Sequence, residues 1–424
     1  MARASRKTSR LARVFYFVLA GFSLVGCSKH DTEENVGASA SSTDAPSVDA
    51  STALTFHKLD DPKIALINLN ATITHYEKLV DTSPGDSQSA AQLVEALLSH
   101  QQFAGKMADL DEADRVSSAL VAKSPNDSRA QLTRASSLGA VHKFDQALAA
   151  IALAEKRGAD TDKCNDARAT IFQAVGRYDE AAAIRNAPDE KLQLTAPLTV
   201  RATLAAEMQR LEDAERMFEE ARAKYRDVSP FAVAWMDFRR GSVYERNGDR
   251  EKAKKYFAEA NQILPTYTHA SVHLAALETP ERAVAILTPL VDSTDDPDVL
   301  AGLADALRRS GKTADATAMH TRAQTRYEEL LAKYPEAFAD HAAAFFLGPN
   351  GDVPRALSLA QANEKIRKTE PAIELLLTPA MASNNHAAMC AAAADGAALK
   401  YASTAFRANI APLLAGCGID AGVK

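Results

Sequence analysis

Residues 241–265 read GSVYERNGDREKAKKYFAEANQILP, and the spacing inside this stretch decides the fold. Gly241, Tyr244, Gly248, Ala253, Phe257, Ala260 and Pro265 fall at offsets 0, 3, 7, 12, 16, 19 and 24. Two helices approach to about 8–10 Å only where small side chains sit at their contact points. Gly241 on a first helix and Ala253 on a second give that clearance, and Ala260 gives it toward the next unit. Tyr244 and Phe257 fill the space between helices, where a ring buries a large apolar area. Gly248 falls in the turn, where a residue without Cβ takes positive φ. Pro265 cannot extend a helix and marks the stop.

The alanine equivalent to Ala253 recurs along the chain. Ala113, Ala147, Ala181, Ala214, Ala253, Ala283, Ala316 and Ala356 are separated by 34, 34, 33, 39, 30, 33 and 40 residues. Gly176-Arg177-Tyr178-Asp179-Glu180-Ala181 repeats the turn and second-helix phrase, and Leu211, Ala214, Phe218 and Ala221 repeat the second-helix pattern. These residues resemble tetratricopeptide (TPR) repeats, helix pairs of about 34 residues. The resemblance implies an all-α TPR-type solenoid of roughly eight to ten helix pairs over 60–424, closed by C-terminal capping helices. Uneven gaps before Ala253 and Ala356 predict longer helices or loops there. Asp61-Pro62, Thr279-Pro280 and Asp296-Pro297 each read as an N-cap followed by proline at the first helical position. Little of the chain alternates with period two, so no sheet is expected.

Residues 1–26 carry Arg3, Arg6, Lys7, Arg10 and Arg13, no acidic residue, and then an apolar run from Val14 to Val25. That is the layout of a secretory leader, too short in its apolar part to span a membrane. It ends Leu24-Val25-Gly26-Cys27, which resembles the lipobox of bacterial lipoproteins. The resemblance implies cleavage before Cys27, lipidation of its sulfur and acylation of its new amine; more than one acyl chain gives stable anchoring. Ser28 in place of an aspartate favours the outer membrane by the sorting rule of that family. Residues 27–59 are polar and small and read as a flexible tether, with an end-to-end distance of roughly 30 Å.

The chain's net charge of −6 becomes −11 once the leader's cationic residues are gone. An acidic mature chain is a poor nucleic-acid binder. Beyond Cys27 there are Cys164, Cys390 and Cys417. Two readings stand for the last two: a disulfide stapling the closing helix, or thiols buried in a helical core.

Several stretches look like chemistry and lack its parts. Gly311-Lys312-Thr313 ends like a phosphate-binding loop, but the glycine required five residues earlier is Ala306 and no strand precedes it. His269 and His273 share a helix face, yet a zinc site needs further ligands, and they read as surface histidines. The acidic stretch Asp292 to Asp298 lacks the glycine and glutamate of a calcium loop and reads as a linker with a helix cap. No metal, cofactor or catalytic centre is expected.

In TPR proteins the first helices line a concave groove. Counting within each repeat places Trp235, Phe238, Ser242, Glu245, Arg246, Asp298, Asp305, Arg308, Arg309, Phe338, His341 and Phe345 on that wall. Aromatic and arginine side chains dominate interface energies. Two readings stand for Trp235 and Phe238: with Arg308 and Arg309 they anchor a peptide or partner helix, or they pack against the neighbouring repeat. The expected function is a non-enzymatic, outer-membrane-anchored periplasmic scaffold for envelope proteins. The alternatives are an accessory subunit or enzyme of envelope-polymer metabolism and a small-molecule-binding protein.

Overall fold

Small buried residues at the helix contacts and left-handed turns between paired helices organise the whole molecule. The structure, a computed structural model, describes residues 59–186, 195–349 and 351–419. The leader, Cys27 and the tether before residue 59 lie outside the described residues. Among the described residues there are twenty α-helices and no strand. Helix α1 (Pro62–Thr82) leads. Pairs follow: α2 (Ser87–Ala104) with α3 (Asp109–Lys123), α4 (Ser128–Ala140) with α5 (Phe144–Lys156), and α6 (Thr161–Ala174) with α7 (Tyr178–Arg185). Next come α8 (Thr195–Glu207) with α9 (Leu211–Lys224), α10 (Pro230–Arg246) with α11 (Arg250–Ile263), and α12 (Thr268–Leu277) with α13 (Pro280–Leu287). The last pairs are α14 (Pro297–Arg309) with α15 (Thr313–Lys333), α16 (Pro335–Phe346) with α17 (Val353–Ile366), and α18 (Glu370–Ala382) with α19 (His386–Ala398). Helix α20 (Thr404–Gly416) closes the array. Consecutive helices pack on each other throughout, which makes this an α-solenoid of TPR type.

Each of the eight recurring alanines lies on the second helix of a pair, from α3 to α17, and each is buried. A Cβ added at Gly241 would lie 2.7 Å from the Phe257 ring, so the close approach of α10 and α11 requires glycine. The turn residue five before the alanine has positive φ at Gly176, Gly248 and Gly311, and also at His142 and Gln209. The lookalike phosphate loop at Gly311 is therefore an ordinary intra-repeat turn. The uneven gaps come from helix length: α10 has 17 residues, α12 has 10 and α15 has 21. Asp61, Thr279 and Asp296 cap α1, α13 and α14 with their side chains as expected. Cys390 and Cys417 are joined in a disulfide between α19 and the end of α20, and Cys164 is a buried free thiol. No described helix is long and apolar enough to cross a membrane.

The inner wall departs from expectation. The solenoid winds so tightly that residues about 190 to 225 apart in sequence meet along a seam. Asp295 accepts the backbone N–H of Met107 at 2.6 Å and of Ala108 at 3.1 Å. Thr294 donates to the Gly105 carbonyl at 2.6 Å. Asp111 takes Lys333 at 2.6 Å and Tyr334 at 2.7 Å. Further along, the Lys368 N–H reaches the Val175 carbonyl at 3.3 Å, and Lys400 reaches Asp179 at 2.8 Å. The acidic stretch around Asp295 is thus a latch across the superhelix as well as a linker. Leu330, Tyr334, Ala337 and Phe338 join one apolar core with α1 to α4. The groove drawn from the repeat pattern is closed by these contacts.

Candidate functional site: an acid and histidine cluster on the closed inner wall

The expected groove aromatics are core residues. Trp235 and Phe238 share a cluster with Phe103, Phe257 and Tyr267. Phe238 is 1% exposed, and the rings of Phe257, Tyr267, His269 and His273 lie within 6 Å of it, centre to centre. Phe103 from α2 stacks on Phe231 of α10 at 4.9 Å, so the amino-terminal helices fill the space in front of Trp235. Phe338 belongs to the core with α1 to α4, and Phe345 packs on Tyr327 at 5.0 Å. The packing reading of Trp235 and Phe238 therefore holds, and the open groove is corrected for Phe338, His341 and Phe345 too. The reason is the superhelical turn, which brings apolar side chains from another repeat onto the wall.

The expected cationic wall residues behave differently. Arg308 and Arg309 stay exposed and both pair with Asp305, at 2.6 and 2.8 Å. Arg246 is exposed and 3.4 Å from Glu207. None of the three arginines joins the aromatic clusters. Ser242 donates to the Phe238 carbonyl at 2.9 Å and Glu245 meets His273 at 2.7 Å, so both are structural. His273 is buried and His269 half-buried inside the wall, not on a helix surface as expected.

Inside the wall lies a cluster of buried polar side chains. Asp296 caps α14 by accepting the Asp298 N–H at 2.9 Å, and it takes the Thr268 hydroxyl at 2.7 Å. That cap aims Asp298 inward, where Oδ2 lies 2.6 Å from His341 Nδ1 and Oδ1 accepts the Tyr327 hydroxyl. Asp340 accepts the His341 N–H at 2.9 Å, and its other oxygen lies 3.3 Å from Arg367. His142, at the left-handed turn before α5, donates from Nδ1 to the Glu336 carbonyl at 3.0 Å, with Nε2 3.0 Å from Arg367. The cluster thus spans α4–α5, α12, α14–α15, α16 and the loop after α17.

Burial and partners set its charges. Burial disfavours a charged His341, but Asp298, Asp340 and Asp296 outweigh it and push the imidazole up to about 10. Burial also works against the Asp298 carboxylate, and His341 with Tyr327 hold it below its ordinary value. Burial and the neighbouring Asp298 push Asp296 up. Burial holds His142 well below the ordinary histidine value, helped by Arg367. Burial takes His269 down to about 4, with a further push from His341. The cationic His341 therefore sits between the Asp298 carboxylate and Asp340, which pairs with Arg367, while His142 and His269 are held neutral. Losing one member of such a network is costly, because it strands a buried charge without its partner. A cavity of about 20 Å3 beside it, lined by His269, Asp298, Tyr327, Phe338 and His341, has room for one water.

The His142 link gives an acid-sensitive fastener. A histidine whose folded pKa is depressed contributes stability above its unfolded value near 6.5, and that contribution is lost as pH falls below it. Asp296 runs the opposite way and is common to both proteins, so the comparison with His142→Asn isolates the histidine. Asparagine also tolerates the left-handed turn. Below pH 6.5 the stability of wild type should fall relative to His142→Asn by about 1.4 kcal/mol per pH unit, read from urea midpoints between pH 7.5 and 5.

No protein-family model matches the chain, and no curated protein matches it. Solved structures with a similar helical path include yeast Tom70, with TM-score 0.35 and 13% identity over 85% of this chain and 96% of that one. The Cut9 assembly with Hcn1 of the APC/C gives TM-score 0.31 and 12% identity over 84% and 89%. The Naa15/Naa10 complex bound to HypK gives TM-score 0.28 and 13% identity over 83% and 65%.

Proposed function

We propose that this chain is a lipid-anchored scaffold of the outer membrane, facing the periplasm and holding envelope proteins. The carrying observation is the continuous stack of helix pairs, an architecture whose extended surface suits partner binding. The leader and lipobox at Cys27 support the anchoring. Because the aromatic wall is filled, the partner meets the exposed cationic rim, with Arg308 and Arg309 as contacts; rim charges act on encounter and specificity more than on fold.

Crosslinking of the acylated protein in intact membranes, followed by capture, tests this. Arg308→Glu with Arg309→Glu should cut partner recovery at least tenfold. The melting curve should change little, because exposed pairs contribute about 1 kcal/mol or less. Cys27→Ser should move the protein from the membrane fraction to the soluble one. Undiminished capture by the double variant would remove the rim from the proposal. Hydrolysis of cell wall by the purified mature chain would replace the scaffold with an enzyme.

A further inference from the structure

Asn385 caps the start of helix α19, its side chain accepting the Ala388 N–H at 3.0 Å. That cap puts His386 at the first helical position and Cys390 one turn later on the same face. The Cys390 sulfur lies 3.5 Å from His386 Nδ1 and 3.7 Å from Nε2. Cys417, the residue that follows α20, is bonded to Cys390 with Cα atoms 5.7 Å apart. One donor atom from each of the three residues lies within 4.8 Å of the others, and among the described residues this is the one such grouping of metal-type side chains. His386 is exposed and both cysteines are half-buried, so solvent reaches the group.

We propose that the reduced form of this C-terminal cap is a binding site for a borderline or soft cation, Zn2+ or Cu+. Two thiolates and an imidazole are the donors such ions select. A tetrahedral zinc with bonds of about 2.0–2.3 Å sets its donors roughly 3.5 Å apart. The His386 nitrogens and the Cys390 sulfur already stand at that spacing. The two sulfurs must separate by roughly 2 Å, and Cys417 must settle at the same spacing from His386, both through side-chain rotation. The remaining position faces solvent and is open to water or an external ligand.

Loading is a balanced sequence. A small dithiol reductant delivers two electrons and two protons to the Cys390–Cys417 bond and itself becomes a disulfide. The cation then binds both sulfurs and displaces the two thiol protons. Either the disulfide or the metal pins α19 to α20. The metal-free dithiol leaves α20 held by the packing of Phe406, Ile410 and Leu414.

Titration with Co2+, a spectroscopic stand-in for Zn2+, tests the site. The protein is the full mature chain carrying Cys27→Ser and Cys164→Ala, which leaves Cys390 and Cys417 as its two thiols, reduced with dithiothreitol and desalted without air. Thiolate-to-cobalt charge-transfer and tetrahedral ligand-field bands should appear, saturate at one ion per chain and disappear when Zn2+ is added. The oxidised chain should show neither band. His386→Ala, an exposed helix-start change whose folding circular dichroism verifies, should weaken cobalt binding at least tenfold. A reduced chain without the charge-transfer band overturns the proposal, as does equal binding by the oxidised chain. Wild-type affinity in His386→Ala removes the imidazole from the ligand set and overturns the site as stated.

Discussion

Asp298→Ala should lower folding stability by about 3–5 kcal/mol, the cost of stranding one member of a buried ion pair. The carboxylate has two buried clients, His341 at 2.6 Å and the Tyr327 hydroxyl. Removing it leaves His341 with Asp340, whose oxygen is 3.9 Å from Nε2 and is also committed to the His341 backbone N–H. A pH series identifies the cause. A histidine whose folded pKa is raised contributes stability that is whole below about 6.5 and is lost as pH climbs toward 10. Wild type should therefore lose stability between pH 7 and 9.5, and Asp298→Ala should lose much less over the same range. Chemical denaturation at fixed ionic strength reads both. An equal slope in the two proteins would mean that His341 does not carry the charge assigned to it.

Phe238→Ala should cost about 3–5 kcal/mol, the usual range for a fully buried ring that leaves a cavity. Its neighbours are rings from α11, α12 and the preceding turn, all tied into further packing, so collapse around the hole is limited. Trp235→Ala should fall in the same direction, since Trp235 joins the same cluster. Partner affinity of the folded fraction should not change in either variant. Loss of affinity without loss of stability would restore the open groove and displace the packed wall.

The repeat register was legible in the sequence because clearance is a local demand. A helix pair needs Gly241 against Phe257 and a small residue at Ala253 whatever lies elsewhere, so the spacing survives as a pattern. The same logic shows why the turns were only partly readable. Glycine marks positive φ at Gly176, Gly248 and Gly311, but His142 and Gln209 take the same conformation and carry no such signature. His142 occupies that turn with a ring bonded to Glu336 and Arg367, and its one sequence clue is its place five residues before Ala147. The wall positions counted within repeats did include Asp298 and His341. Nothing in a one-dimensional pattern says that these two face each other, because their contact depends on how one repeat rotates on the next.

The sequence by itself determined the class, the pairing of helices, and the stops and caps. All of these follow from contacts within one or two repeats. Only the tertiary structure decided that the wall is closed, that Trp235 and Phe238 are core, and that Cys390 meets Cys417 beside His386. Small rotations between neighbouring pairs add up over the array. Their sum brings residues such as Met107 and Asp295 together, a separation of 188 positions that no local spacing rule encodes.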